Sequence, residues 1–197
     1  MQFRQIGIVL PPFMKNDKET KRNLILKSSY KLLLHRSYKD VTFSDIENET
    51  RLTRGAIYYY FDNKRHLFEE IIRSFYFIHF YNYNLSCLIS EGFTIESFRN
   101  SYKCPFQRIV IHLQKLSEQF NITNPARSFC HLTIQASVIL PKFDEEVKIL
   151  LSKESETVKN LIMMLSDSTF ESDEVSNMLT EIYDSDYLKI FKTAFLL

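Results

Sequence analysis

An all-α fold is predicted by three observations. Glycine and proline are scarce, 3 and 5 in 197 residues, too few for many short strands joined by tight turns. Apolar residues recur at helical spacing along most of the chain. Side chains suited to helix N-caps stand before several of these stretches. Hydrophobic residues make up 45% and charged residues 25%, the balance of a folded globular chain. No apolar run approaches the ~20 residues that span a membrane.

The first helix is expected over Lys18 to Arg36, where Ile25, Ser29 and Leu32 with Leu33 recur between basic residues. Thr42 with Asp45 resembles a capping box, so a short second helix starts near Phe43. Thr53 is the N-cap candidate of a third helix through Phe61, and Asn63 that of a fourth, from Lys64 to about Tyr81, with Leu67, Phe68, Ile71, Ile72 and Phe75 as its stripe. The second and third are short and closely joined, the form of a helix-turn-helix. Longer helices follow: Ile95–Tyr102, Phe106–Phe120, Ala126–Leu140, Asp144–Leu165 and Glu174–Phe195. The stripe of Asp144–Leu165 is Val147, Leu151, Val158, Leu161, Ile162 and Leu165; that of Glu174–Phe195 is Met178, Leu179, Ile182, Leu188, Phe191 and Phe195.

The segment "LTRGAIYYYF", Leu52 to Phe61, has the composition of a β-strand. On a helix its residues separate. Ile57 and Phe61, four apart, share a face that can be buried, with Leu52 and Ala56 on roughly the same side. Tyr58, Tyr59 and Tyr60 then sweep about 200° of the helix, so at least two point away from the core. The first turn offers Thr53, Arg54, Gly55 and Ala56. Small residues let a helix end approach a groove wall, and Arg can bond guanine bidentately in the major groove. Tyr hydroxyls can bond phosphate, and the recognition helix of a helix-turn-helix meets bases with its first residues. Covering a core or a dimer contact is the alternative role for these tyrosines.

Charge is distributed in the same sense. Residues 1–80 carry 14 Lys and Arg against 9 Asp and Glu, while residues 81–197 carry 11 against 15. A basic amino-terminal part on an acidic remainder suggests that one part meets a polyanion.

From Ile25 to Phe68 the chain resembles the amino-terminal domain of the TetR family of transcriptional regulators. The residues that carry the resemblance are Ile25-Leu26, Ser28-Ser29, Leu32-Leu33, Ser37-Tyr38, Val41-Thr42, Asp45-Ile46-Glu47, "TRLTRGAIYYYF", Asn63-Lys64 and "HLF" at His66 to Phe68. Glu47 stands where the family has Ala, and Arg51 where it has the turn glycine. Arg51 therefore either takes a left-handed conformation, costing about 1 kcal/mol, or the turn differs. The resemblance implies a three-helix helix-turn-helix DNA-binding domain over residues 18–63, after an arm at 1–17. It implies a helical ligand-binding and dimerisation domain over 64–197. It makes Arg54, Gly55, Ala56 and Tyr59 base-edge contacts, and Thr42, Ser44, Thr53, Tyr58, Tyr60 and Lys64 phosphate contacts. Lys64 also fits on physics alone, a cation at a helix N-terminus.

By the same resemblance the last two helices form a homodimer on a palindromic duplex, and a small-molecule effector releases the DNA from a repressor. Pocket candidates are Phe98, Tyr102, Phe106 and Phe129, from an aromatic set that also holds Phe75, Phe80, Tyr83, Phe93, Phe120 and Phe143, together with the polar groups His112, His131 and Gln135. Ordinary core packing is the alternative for these aromatics, as it is for either long stripe. A helical module that binds protein, or a regulator of the same fold without a small ligand, stays open.

No enzyme is expected. Cys130 and His131 are adjacent and not at a metal-ligand spacing, and no CxxC, HExxH, Gly-rich phosphate loop or GxSxG occurs. No cofactor or metal is expected either. Cys87, Cys104 and Cys130 are odd in number and widely spaced, which suits reduced thiols in a cytoplasmic protein. The opening "MQFRQIGIVLPPFMKN" has no basic cluster, long apolar core or small-residue cleavage site, so a secretory signal is not expected there. Residues 1–13 either form an arm or precede a natural start at Met14.

Overall fold

The computed structural model describes residues 21–81, 94–165 and 171–195. The arm, residues 18–20 of the first helix, Tyr83, Cys87, Phe93 and the side chain of Leu165 lie outside the described residues. Among those described there is no strand. The helices are α1 (Lys21–His35), α2 (Phe43–Thr50), α3 (Arg54–Tyr60), α4 (Lys64–Ile72), α5 (Ile78–Tyr81) and α6 (Ile95–Ser101). They continue as α7 (Pro105–Lys115), α8 (Ser117–Phe120), α9 (Pro125–Ile139), α10 (Phe143–Leu165) and α11 (Ser172–Phe195).

Two helices expected to be continuous are interrupted. The helix after Asn63 passes through a π turn at Arg73–Phe77 before α5. The wider turn shifts the register of the inward face. Leu67, Phe68, Ile71 and Ile72 before it, and Tyr76, Phe77, Ile78 and Phe80 within and after it, are all buried. The stretch Phe106–Phe120 breaks at Leu116 into α7 and α8. There the Ser117 hydroxyl donates back to the Leu113 carbonyl at 3.0 Å, a bond that bends helices. Asn121, at φ 54°, closes the short piece.

The core runs without a gap from the first helices into the body. Ile25, Leu26, Tyr30, Leu33 and Leu34 of α1 join Ile46, Ile57, Phe61 and the α4 stripe, then Phe129, Leu132 and Ala136 of α9 and Ile190 and Ala194 of α11. A second cluster, of Phe98, Tyr102, Cys104, Val158, Ile162, Val175, Met178 and Leu179, sits where α6, α10 and α11 meet.

The stripe expected on the last helix divides. Met178 and Leu179 are buried, but Leu188, Phe191 and Phe195 are 52%, 48% and 50% exposed. The buried side of the second half is instead Asp186, Ile190 and Ala194, at a strict spacing of four. That side meets α7 and α9 and leaves the larger apolar residues facing out. On α10 the buried positions are Phe143, Leu150, Glu154, Val158 and Ile162, so an ionisable residue occupies the inner face.

Candidate nucleic-acid interface

Three residues separate α2 from α3, and each end is fixed by a side chain. Thr42 caps α2, accepting the Asp45 N–H at 3.2 Å, while the Asp45 carboxylate accepts the Thr42 N–H at 2.7 Å. The same carboxylate takes the Arg36 guanidinium at 2.8 Å, pinning the end of α1 to the start of α2. Bonds from Arg36 and Thr42 hold the Asp45 carboxyl well below the usual carboxylate range. At the far end Thr50 is buried, its hydroxyl donating to the Ile46 carbonyl at 2.7 Å, and the Leu52 N–H returns to that hydroxyl at 3.2 Å. Arg51 takes φ 58°, ψ 23° and its N–H donates to the Glu47 carbonyl. Of the two turns left open by the sequence, the left-handed one is present. Thr53 then caps α3 through the Ala56 N–H at 3.4 Å.

This frame orients α3. Ile57 and Phe61 are fully buried, as their spacing predicts. Tyr59 is 81% exposed and Tyr58 46%. Tyr58 leans on Phe43 with ring centroids 4.8 Å apart, and Tyr59 meets Tyr60 edge-on at 4.9 Å. Around Gly55 there is open space: an added Cβ would meet nothing within 4 Å. Arg54 is exposed, and its Nη2 donates to Ser44 Oγ at 2.8 Å and to Glu47 Oε2 at 3.1 Å. Exposed Thr42, Ser44, Thr53, Arg54, Gly55, Tyr58 and Tyr59 thus stand on the outside of the turn and of α3, with Ala56 and Tyr60 half-buried beside them.

Lys64 opens α4, which Asn63 caps by accepting the His66 N–H at 2.9 Å. Its ammonium lies 4.3 Å over the Tyr38 ring and 3.4 Å from the Lys39 carbonyl. Burial lowers its pKa, against the raising pull of Asp40 and Asp45. The cation is therefore also a brace between α4 and the turn after α1.

Residues 25–71 match the family model described as bacterial regulatory proteins, tetR family. The amino-terminal domain is of the tetR family. The protein is accordingly a DNA-binding transcriptional regulator, with a helix-turn-helix domain followed by a helical carboxy-terminal region. A search of curated proteins finds no match to the chain. No helix among the described residues is long and apolar enough to cross a membrane, and none of their His, Cys, Asp and Glu side chains form a group of three able to hold a metal.

Beyond the tetR-family domain, the seven pocket candidates fall in separate surroundings among the described residues. Phe98 and Tyr102 belong to the second cluster, and the Tyr102 hydroxyl donates to Glu154 Oε1 at 2.7 Å. Phe106 and Phe129 pack together with centroids 5.8 Å apart. His112 stacks obliquely on His79 at 5.0 Å. Gln135 reaches out of the body instead: its Oε1 accepts the Tyr38 N–H and its Nε2 donates to the Leu33 carbonyl at 3.5 Å. It is a strut between α9 and the DNA-binding domain. His131, 3.3 Å from Gln135, lines an open cleft of about 410 Å³ with His35, Arg127, Ile134 and Phe195. A second cleft, of about 290 Å³, lies between α4 and the α9–α10 corner, with Arg73, Phe77, Lys142 and Phe143 among its walls.

Three features come only with the structure: the Glu47–Arg54 pair, the strut role of Gln135 and the Arg108–Glu154 pair. Glu47 had a signal, an acid in place of the small residue in the family pattern, on a basic domain. The other two join residues 102 and 46 positions away in the chain, which no local pattern encodes.

Proposed function

We propose that the protein is a homodimeric, cytoplasmic repressor that holds a palindromic duplex through α3 and lets go when a small molecule binds. The observation that carries the duplex contact is the outward face of α3, where Arg54, Gly55 and Tyr59 are exposed and Tyr59 has four-fifths of its surface open. Thr42, Ser44, Thr53, Tyr58, Tyr60 and Lys64 flank that face and contact phosphates; Arg54, Gly55, Ala56 and Tyr59 face the bases. Leu188, Phe191 and Phe195 support the dimer: three large apolar side chains left half-exposed on α11 bury well against a second copy. Two recognition helices on one two-fold axis multiply the few base pairs that each can read.

The clefts that join the DNA-binding helices to the body support effector release better than the aromatic interior does. A molecule wedged beside α4 or the end of α1 acts directly on the helices that carry α3.

The test is binding to duplexes from the region around its own gene. The logarithm of the affinity is expected to fall with the logarithm of salt concentration by about 0.9 per phosphate contact. Lys64→Ala is expected to weaken all duplexes about equally. Phe191→Lys is expected to give a monomer in sedimentation and to lower affinity for a two-half-site duplex. Absence of duplex binding at low salt sinks the repressor reading; release of bound duplex by a co-purified small molecule, identified by mass, supports the effector.

A further inference from the structure

We infer that Glu47 is a specificity-determining residue, acting by holding Arg54 in position to read a guanine and away from the phosphates. The inference rests on α3 meeting the duplex through its first turn.

An acid on a surface that meets a polyanion is unfavourable unless it has a second task. Glu47 sits on α2 facing the first residue of α3, with its side chain 26% exposed against 53% for Arg54. One guanidinium nitrogen, Nη2, is shared between its Oε2 at 3.1 Å and Ser44 Oγ at 2.8 Å. Both partners come from α2, whose position is set by the Thr42–Asp45 box and the Asp45–Arg36 pair. Nη1 and Nε make no hydrogen bond with the described residues.

Two consequences follow from charge and geometry. A free arginine on a flexible stem binds any phosphate within reach; one neutralised and tethered by a carboxylate does so less, so non-specific affinity is lower. The tether also fixes the plane of the guanidinium before the duplex arrives. Less rotamer freedom is then lost when an N–H of Nη1 or Nε, the nitrogens left outside the tether, meets an acceptor of guanine, N7 or O6. Ser44 holds the same nitrogen without charge, so it supports orientation but not the suppression of phosphate binding.

Selection from a random duplex pool first gives the preferred site of the wild type. Dissociation constants are then measured for that site, for the site changed at each base pair in turn, and for a random duplex, with wild type, Glu47→Gln, Arg54→Ala and the double variant. Thermal melting checks that each is folded; Glu47→Gln keeps the shape of the side chain, and the backbone carbonyl of residue 47 that accepts from Arg51 is unchanged. Glu47→Gln is expected to tighten random-duplex binding a few-fold. It is also expected to cut discrimination at one G·C pair about threefold, below what a full bidentate arginine–guanine contact is worth. Arg54→Ala is expected to lose discrimination at that same pair, and the double variant to lose little more. Discrimination unchanged by Glu47→Gln, or losses that simply add, overturns the inference while leaving duplex binding intact. A wild type that selects no sequence overturns the underlying reading instead.

Discussion

At Gly55 the free protein makes no demand for glycine. The built Cβ meets no atom within 4 Å, and the residue lies in the first turn of α3, where alanine is the better helix former by up to about 1 kcal/mol. Under the proposed duplex contact, Gly55→Ala is therefore expected to leave melting unchanged or to raise it slightly, while weakening duplex binding, because the extra methyl would then meet the groove wall. Equal affinity of the variant and the wild type removes Gly55 from the interface. Arg51 is the opposite case. Its φ of 58° is a left-handed conformation imposed by the turn, with a cost of about 1 kcal/mol for a side chain that has a Cβ. Arg51→Gly is expected to raise stability by a fraction of that, since glycine's larger unfolded-state entropy offsets part of the gain; chemical denaturation measures it. The roles of Ile57 and Phe61 were readable from spacing alone. The tether on Arg54 was not, because it depends on how α2 and α3 cross.

At the scale of elements, the boundaries of most helices follow from side chains that are plain in the sequence: Thr42, Thr53 and Asn63 cap the helices they precede. The interruptions at Arg73–Phe77 and Leu116 were not readable, since both continue an apolar pattern and depend on the packing of neighbouring helices. The same holds for the inner face of α10. Glu154 is buried there and accepts from Arg108 at 2.7 and 3.0 Å and from Tyr102 at 2.7 Å. The Tyr102 hydroxyl is in turn 2.8 Å from that of Tyr183 on α11. Burial raises the Glu154 carboxyl, against the lowering effect of Arg108; with three donors on the carboxylate, the ionised pair is the form that fits. Arg108→Ala leaves that charge buried without its main partner and is expected to cost about 3–5 kcal/mol. Replacing both by methionine is expected to recover most of the loss. A double variant as unstable as the single one shows that the pair is held by more than mutual neutralisation.

For the whole molecule, the amino-terminal excess of positive charge pointed to a polyanion, and the tetR-family match to residues 25–71 accounts for it. The body carries no comparable motif, so which aromatics pack and which border a cleft depends on the tertiary arrangement: Phe98 sits in the second cluster and Phe143 borders a cleft. The arrangement also makes stability depend on pH. His79 lies against His112 and near Arg108, and its Nε2 is buried without a hydrogen-bond partner in the structure. Burial first, then the charges of His112 and Arg108, bring its pKa down to about 3. In the unfolded chain a histidine titrates near 6.5, so between those two values the unfolded state binds the extra proton and the folded state does not. The stability linked to a neutral His79 is complete above pH 6.5 and is lost progressively as pH falls toward 3. Burial lowers the pKa of His112 as well, which adds in the same direction. Unfolding free energy measured by denaturant is thus expected to fall between pH 7 and 4. His79→Phe, which cannot take up a proton, is expected to show a shallower fall than the wild type over that interval. Parallel curves for the two proteins place the acid sensitivity elsewhere, with the Arg36–Asp45 pair expected to respond only below about pH 4, as its carboxylate protonates.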